Sequence, residues 1–360
     1  MTDAMKFRYL GPSGLRVSEL CLGTMTFGED WGWGASKEEC RAIFDCFVEH
    51  GGNFIDTANG YTNGTSERIV GELISPDRDR FVLATKYSFP KTRGDPNSGG
   101  NHRKSMFRSL EGSLKRLGTD YVDLFWLHAW DFSTTVEEVM RGLDDLVRSG
   151  KVLYVGVSDT PAWVVSRANM LAELRGWSPF IALQIEYSLI ERTPERDLLP
   201  MASSLGMTVT PWGVLGSGVL TGKYNDAPPL APKAGGTTGA HVERRLDAGN
   251  SQKANDRNIA IARLVAEAAK QVGCTPSQVA LAWLRTRPGS IIPILGARRL
   301  DQMRDNLGCL DVTLPEDYLR RLDEASRIDL GFPHDFYADP VRRDRLFGGL
   351  YSRMADHRGP

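Results

Sequence analysis

Three apolar runs of this chain each deliver a reactive side chain at or just beyond their last residue. NFIDTA ends with Asp56 in place and Tyr61 in the following loop, RFVLATK ends in Lys86, and VDLFWLHA brings His128 after Leu124 and Trp126. Taken singly, each has an ordinary reading: a carboxylate after a strand often caps a helix, a lysine is usually solvated, and a histidine is often a satisfied core group. Four of them at the same end of consecutive runs point instead to one shared site. A tyrosine hydroxyl titrates near about 10 in water, and an adjacent ammonium favours its phenolate. Lys86 is expected to lower Tyr61 in this way, with Asp56 as the counter-ion that a buried lysine needs. His128 can donate a hydrogen bond to a substrate oxygen and fix its orientation. The set is suited to protonating a carbonyl oxygen while hydride reaches the carbon.

For these side chains to converge, their runs must be neighbours in one sheet with the same end facing the site. Eight strand-like runs occur: LCLGTM, NFIDTA, RFVLATK, VDLFWLHA, VLYVGVSD, IALQIEYSL, MTVTPWGVL and SIIPILGA. Segments of helical periodicity lie between them, including SKEECRAIFDCFVEHGG and RKSMFRSLEGSLKRLG, whose terminal glycines suit the left-handed end of a helix. Alternation of strand and helix implies right-handed crossovers and a parallel sheet, and eight such units close into an α/β (β/α)₈ TIM barrel. The opening KFRYLGPSGLRVSEL reads as an N-terminal β-hairpin that plugs one end. After Leu314 an extra C-terminal helix, PEDYLRRLDEAS, precedes an irregular aromatic-rich tail. One domain over residues 1–360 is expected, with residues 224–250 a long loop inside it.

With 44 basic and 45 acidic residues and a net charge of -1, nothing steers a nucleic acid or an anionic membrane to this chain. The start MTDAMKFRYL has no apolar signal core and no run approaches the ~20 apolar residues of a membrane span, so a cytoplasmic protein is expected. The five cysteines show no metal-ligand spacing and are expected as reduced thiols, mostly buried. No metal is expected either, because the histidines do not pair at helical spacing. GSGVLTGKY has the wrong glycine spacing for a Walker loop, and no G-x-G-x-x-G opens a helix, so any dinucleotide must bind to the barrel itself.

The stretches DTANGYTNGTSERIVGELI, ATK, DLFWLHAWD, GVSDTPAW, LQIEYSLIER, TPWGVLGSGVLTGKY and IPILGARRLDQMRDNLG, in this order over nearly the whole chain, resemble the aldo-keto reductase superfamily. Within it they are similar to the branch of aryl-alcohol-dehydrogenase-like reductases and potassium-channel β subunits. The resemblance implies a (β/α)₈ barrel, NADPH (NADP+) as cofactor, and Asp56, Tyr61, Lys86 and His128 as the catalytic tetrad. It implies that Ser158 and Gln184 bind the nicotinamide carboxamide and that Trp212 stacks on the ring. Asp159 departs from the Asn or Arg of many relatives; ionised, it can accept from the amide but not donate. Gly213, Leu215, Ser217 and Lys223 match the pyrophosphate segment, and Arg298, Gln302 and Asn306 match the adenine and 2′-phosphate site, where Arg299 could assist.

The implied partner is a small-molecule carbonyl compound. Phe27, Trp31, Trp33, Tyr87, Phe89 and Trp130 fall beyond strand ends and are expected to give the mouth an apolar lining for an aromatic or bulky substrate, with loop packing as their other reading. A redox-sensing regulatory subunit that holds the dinucleotide and turns over slowly is the alternative, and the complete tetrad favours an enzyme. The loop over residues 224–250 reads either as a clamp that folds over bound NADPH, with Lys233 or Arg244 near its phosphates, or as a disordered insertion. The sequence leaves a homo-oligomer open.

Overall fold

The computed structural model describes residues 5–225 and 251–354. Of the loop expected over residues 224–250, only Tyr224 and Asn225 are among them, so the clamp, Lys233 and Arg244 lie outside the described residues.

All eight expected strands form one parallel ring. They are β3 (Cys21–Gly23), β4 (Phe54–Asp56), β5 (Val82–Tyr87), β6 (Val122–Leu127), β7 (Val152–Ser158), β8 (Phe180–Glu186), β9 (Thr208–Trp212) and β10 (Ile294–Gly296), in the order β10-β3-β4-β5-β6-β7-β8-β9. The seam between β9 and β10 is joined where Val209 N–H donates to the Ser290 carbonyl at 2.8 Å and Ile292 N–H to the Val209 carbonyl at 2.9 Å. The chain is therefore a (β/α)₈ TIM barrel.

Strand alternation separates two cores. Phe54, Val82, Ala84, Leu124 and Trp126 fill the barrel interior, while Leu83, Tyr87, Phe125 and Leu127 face outward beneath the helices. The helices bury the stripe that their periodicity offers. In α1 (Lys37–Glu49) these are Cys40, Ile43, Phe44 and Phe47, and Ser36 accepts from the Glu39 N–H to start the helix. The next two helices are α2 (Thr65–Ile74) and α3 (Arg103–Leu117), which ends at Gly118 with φ 64°. In α4 (Val136–Arg148), Val139, Met140, Leu143 and Leu146 point inward, each such side chain contributing ~1.5–3 kcal/mol by burial. α5 (Ala162–Arg175), α6 (Leu198–Ser204), α7 (Asp256–Val272), α8 (Pro276–Arg285) and α9 (Leu300–Leu307) complete the outer layer.

The opening segment forms β1 (Phe7–Tyr9) and β2 (Arg16–Ser18), an antiparallel pair. Leu10 and Val17 enter the interior core beside Ile181, so the hairpin does close the end of the barrel where the strands begin. Gly11 makes the contact possible. A Cβ there would stand 2.0 Å from the Ile181 carbonyl oxygen, φ is 57°, and its N–H donates to Thr208 Oγ1 at 2.7 Å.

Beyond the barrel, α10 (Glu316–Ser326) occupies the expected extra helix. The tail is less irregular than expected, because α11 (His334–Ala338) and α12 (Pro340–Leu346) fold within it. The five cysteines are free thiols; Cys274 is half-buried and the others are buried. Among the described residues no helix is long and apolar enough to cross a membrane.

Candidate active site

The ends of β3 to β10 open onto a cavity of about 630 Å³. Its floor is polar. Asp56 closes β4, Lys86 lies one residue from the end of β5, and His128 follows β6 directly. Lys86 is fully enclosed, and its Nζ donates to Asp56 Oδ2, to the Thr57 carbonyl at 2.8 Å and to Tyr61 Oη at 3.0 Å. Three acceptors use all three ammonium hydrogens, which is how a lysine remains charged without water. The other Asp56 oxygen accepts from Gln184 Nε2 at 3.0 Å.

Tyr61 is aimed by a strained turn. Thr62 and Asn63 adopt φ of 42° and 56°, and Gly64, at 94°, leads into α2. A β-branched residue in the left-handed region is costly, and here the buried Thr62 hydroxyl holds it by donating to the Phe27 carbonyl at 2.6 Å. The same oxygen accepts from the Ser66 N–H at 3.0 Å.

The electrostatics correct one expectation. Burial raises the Tyr61 hydroxyl above its ordinary value; Lys86 works in the lowering direction and Asp56 adds to the rise. Burial is the largest effect, so Lys86 tempers the rise but does not reverse it. For Lys86 burial disfavours the charge, yet Asp56 and Tyr61 outweigh it and the ammonium ends above its ordinary value. His128 falls well below the usual histidine range through burial, reinforced by Lys86. It is a neutral imidazole whose Nδ1 is buried without a hydrogen-bond partner among the described residues. Its ring stands edge-on to Tyr61 at 6.0 Å and to Phe89 at 4.6 Å.

Around this floor the cavity wall is built from the later strands. Asp159 follows β7 with φ 37°, and its Oδ1 accepts from Trp212 Nε1 at 3.2 Å. Gln184 of β8 and Trp212 at the end of β9 line the same wall. Gly213, Leu215, Ser217 and Lys223 line it further on, in a turn where Gly213, Gly216, Ser217 and Gly218 all have positive φ. A Cβ on Gly218 would meet Lys223 Nζ at 2.8 Å, so the lysine side chain packs directly over the glycine backbone. Arg298, Gln302 and Asn306 border the far side, at the start of α9 and along it. Gln302 Oε1 accepts from the Arg298 N–H at 2.9 Å. Among the described residues no carboxylate pairs with the Arg298 guanidinium, whereas Arg299 is exposed and bound to Asp301 at 2.9 Å. Ser158 is buried at the end of β7 and does not border the cavity.

The expected apolar mouth is only partly assembled. Trp33 borders the cavity together with Trp31, their ring centroids 5.5 Å apart, and Phe89 completes this side. Phe27 and Tyr87 do not belong to it: both are fully buried in the outer core. Tyr87 faces outward because its neighbour Lys86 faces inward, and it stacks on Phe125 at 5.1 Å. Trp130 is half-buried against the outer core and also lies outside the wall. Conversely, Met25, Lys253 and Ser277 border the cavity without having been expected there. Lys253 pairs with Glu186, just past the long loop, where neither strand periodicity nor a motif marks it.

This geometry sits in a chain whose residues 19–327 match the Aldo/keto reductase family. The chain is similar to norsolorinic acid reductase A of Aspergillus parasiticus, with 40% identity over 342 residues covering 91% of this chain and 83% of that protein. It is similar to an NADP(+) aryl-alcohol dehydrogenase of Phanerodontia chrysosporium, with 37% identity over 363 residues covering 94% and 90%. An aryl-alcohol dehydrogenase of Pestalotiopsis microspora is 38% identical over 355 residues, covering 96% and 86%. A match of that extent, on a TIM barrel with this polar floor, makes the chain an oxidoreductase of the aldo/keto reductase family.

Proposed function

We propose that the protein reduces an aldehyde or ketone to the alcohol with NADPH, Tyr61 acting as the general acid. The observation that carries this reading is the 3.0 Å contact of Tyr61 Oη with an enclosed Lys86 ammonium at the floor of a cavity. The chain's own groups fit a phosphorylated dinucleotide. The Lys223 ammonium lies against the Gly218 backbone in a turn of positive-φ residues on the cavity wall, where it suits a pyrophosphate, and Arg298, with no carboxylate partner among the described residues, suits a 2′-phosphate. Trp212, Gln184 and Asp159 would hold the nicotinamide, which when bound supplies hydride to the carbonyl carbon.

Each residue then has a defined task. Tyr61, protonated at neutral pH, donates a hydrogen bond to the carbonyl oxygen. As that oxygen gains negative charge it becomes a far stronger base than tyrosinate and takes the proton. The tyrosinate left behind is stabilised by Lys86, which Asp56 and the Thr57 carbonyl keep in position. Neutral His128 donates one N–H to the same substrate oxygen and so fixes the carbonyl against Tyr61. Trp31, Trp33 and Phe89 give the entrance an aromatic lining suited to an aryl or similarly bulky carbonyl compound. The names of the aryl-alcohol dehydrogenase and norsolorinic acid reductase relatives support the same class. Steady-state NADPH oxidation with a panel of aromatic and aliphatic aldehydes and ketones tests the reading. Turnover is expected, with aromatic carbonyls giving the higher kcat/KM, and absence of turnover across the panel would sink it.

A further inference from the structure

Asp159 puts a carboxylate where hydrogen bonding alone does not require one. It shares a cavity wall with Trp212, joined to it by the Nε1–H donation at 3.2 Å. A neutral amide oxygen of the same shape would accept that bond equally well. The backbone leaves Asp159 little freedom to turn away. Its φ is 37°, its N–H donates to the Gln184 carbonyl at 3.3 Å, and its carbonyl accepts from the Trp130 N–H at 3.4 Å. What a carboxylate adds on this wall is charge. A nicotinamide ring is cationic when oxidised and neutral when reduced, so a nearby anion discriminates between the two states. Resting on the dinucleotide reading above, we propose that Asp159 sets which redox state this cavity holds more tightly, its carboxylate favouring the oxidised ring over the reduced one.

The preference depends on pH. Burial raises the Asp159 carboxyl to about 6, the Trp212 hydrogen bond opposing, Glu186 adding to the rise and Lys86 opposing it. Although the side chain is open to solvent through the cavity, protein surrounds it on the remaining sides. Among the described residues, the charged and titratable groups that act on it are Glu186 with its partner Lys253, and Lys86 with Asp56 and Tyr61. His128 borders the same cavity and stays neutral, while Lys86 and Tyr61 are both shifted upward, so these three keep their charge through the mildly acidic range. In acid the protonated Asp159 no longer favours oxidised cofactor, which is then released more readily after carbonyl reduction. Toward neutral pH the carboxylate retains it.

The test measures dissociation constants of NADP+ and NADPH by quenching of protein fluorescence from about pH 5 to about pH 7.5. The native protein is compared with Asp159→Asn, which tolerates left-handed backbone and still accepts from Trp212. The 2′-phosphate titrates in the same range, but both redox states carry it and it cancels in the ratio of their affinities. In the native protein the preference for NADP+ over NADPH is expected to rise about five- to tenfold across the window. In Asp159→Asn the ratio is expected to be flat, with the loss falling on NADP+ at the upper pH. A flat ratio in the native protein, or an equal rise in the variant, overturns the inference while leaving the dinucleotide reading intact. Failure of both dinucleotides to bind the native protein overturns both.

Discussion

The Tyr61 hydroxyl stands 3.0 Å from the Lys86 ammonium, and the ammonium is sealed from solvent by Asp56 and the Thr57 carbonyl. Burial dominates the tyrosine and raises it, so the resting site holds a protonated phenol. In the proposed reaction Lys86 therefore matters less to the resting hydroxyl than to the anion that would form as the proton leaves. A cation held beside a nascent phenolate in a water-poor site stabilises the product of proton transfer more than the reactant.

Removing only the Tyr61 hydroxyl isolates this step. Tyr61→Phe is expected to lower kcat by at least ~10²-fold, the usual consequence of losing a general acid, with NADPH affinity by fluorescence quenching unchanged. A variant that keeps most of its turnover would transfer the acid role to another group.

Much of this site could be read from the chain because its residues obey strand and loop rules. Asp56, Lys86 and His128 end runs whose apolar character marks them as buried strands, and barrel geometry sends those ends to one face. The same alternation that turns Lys86 inward turns Tyr87 outward, so the burial of Tyr87 in the outer core is legible from strand period alone. Phe27 was not legible, because its burial depends on a turn held by the Thr62 hydroxyl 35 residues later. Nor was the rise of the Tyr61 hydroxyl: pairwise charge is visible in spacing, whereas desolvation depends on every neighbour. Lys253 illustrates the remaining gap, since its partner Glu186 lies 67 residues away across the long loop.

Arg298 and Arg299 are adjacent in sequence but differ in what they can offer a ligand. Arg299 is committed to Asp301, while Arg298 borders the cavity without a carboxylate partner among the described residues. Arg298→Ala is expected to weaken NADPH binding by ~1.5–3 kcal/mol and to leave NADH nearly unchanged, because only NADPH carries the 2′-phosphate. Titration of both cofactors into native protein and variant checks this; equal losses would assign Arg298 to a different part of the dinucleotide.

Asp159 also bears on the stability of the unliganded protein. Its carboxyl is raised to about 6 in the fold, chiefly by burial, above the ordinary aspartate value. Below the unfolded value both states are protonated and the group contributes nothing. As pH rises through the interval up to about 6, the unfolded chain ionises first, and folding stability falls by an amount then retained at higher pH. Asp159→Asn is therefore expected to raise Tm at neutral pH and not near pH 4, by only about 1–2 °C because cavity water screens the charge. Thermal melts at the two pH values decide it, and an equal shift at both would remove ionisation as the cause.

Gly11 tests the opposite end of the barrel. The hairpin turn lies against β8 so closely that a Cβ on Gly11 would overlap the Ile181 carbonyl oxygen, and its φ of 57° disfavours any side chain. Gly14, in the same turn, has open space around it and no such backbone constraint. Gly11→Ala is expected to cost ~2–4 kcal/mol, from overpacking and left-handed strain together. Gly14→Ala should be neutral or slightly stabilising through the unfolded chain. Because the plug closes the end where the strands begin and the tetrad lies where they finish, kcat of the folded Gly11→Ala protein should match the native value. Urea denaturation of both variants checks the prediction. Comparable midpoints for the two would show that the hairpin yields at this contact, and that the barrel interior is sealed by Leu10 and Val17 without the close approach of Gly11.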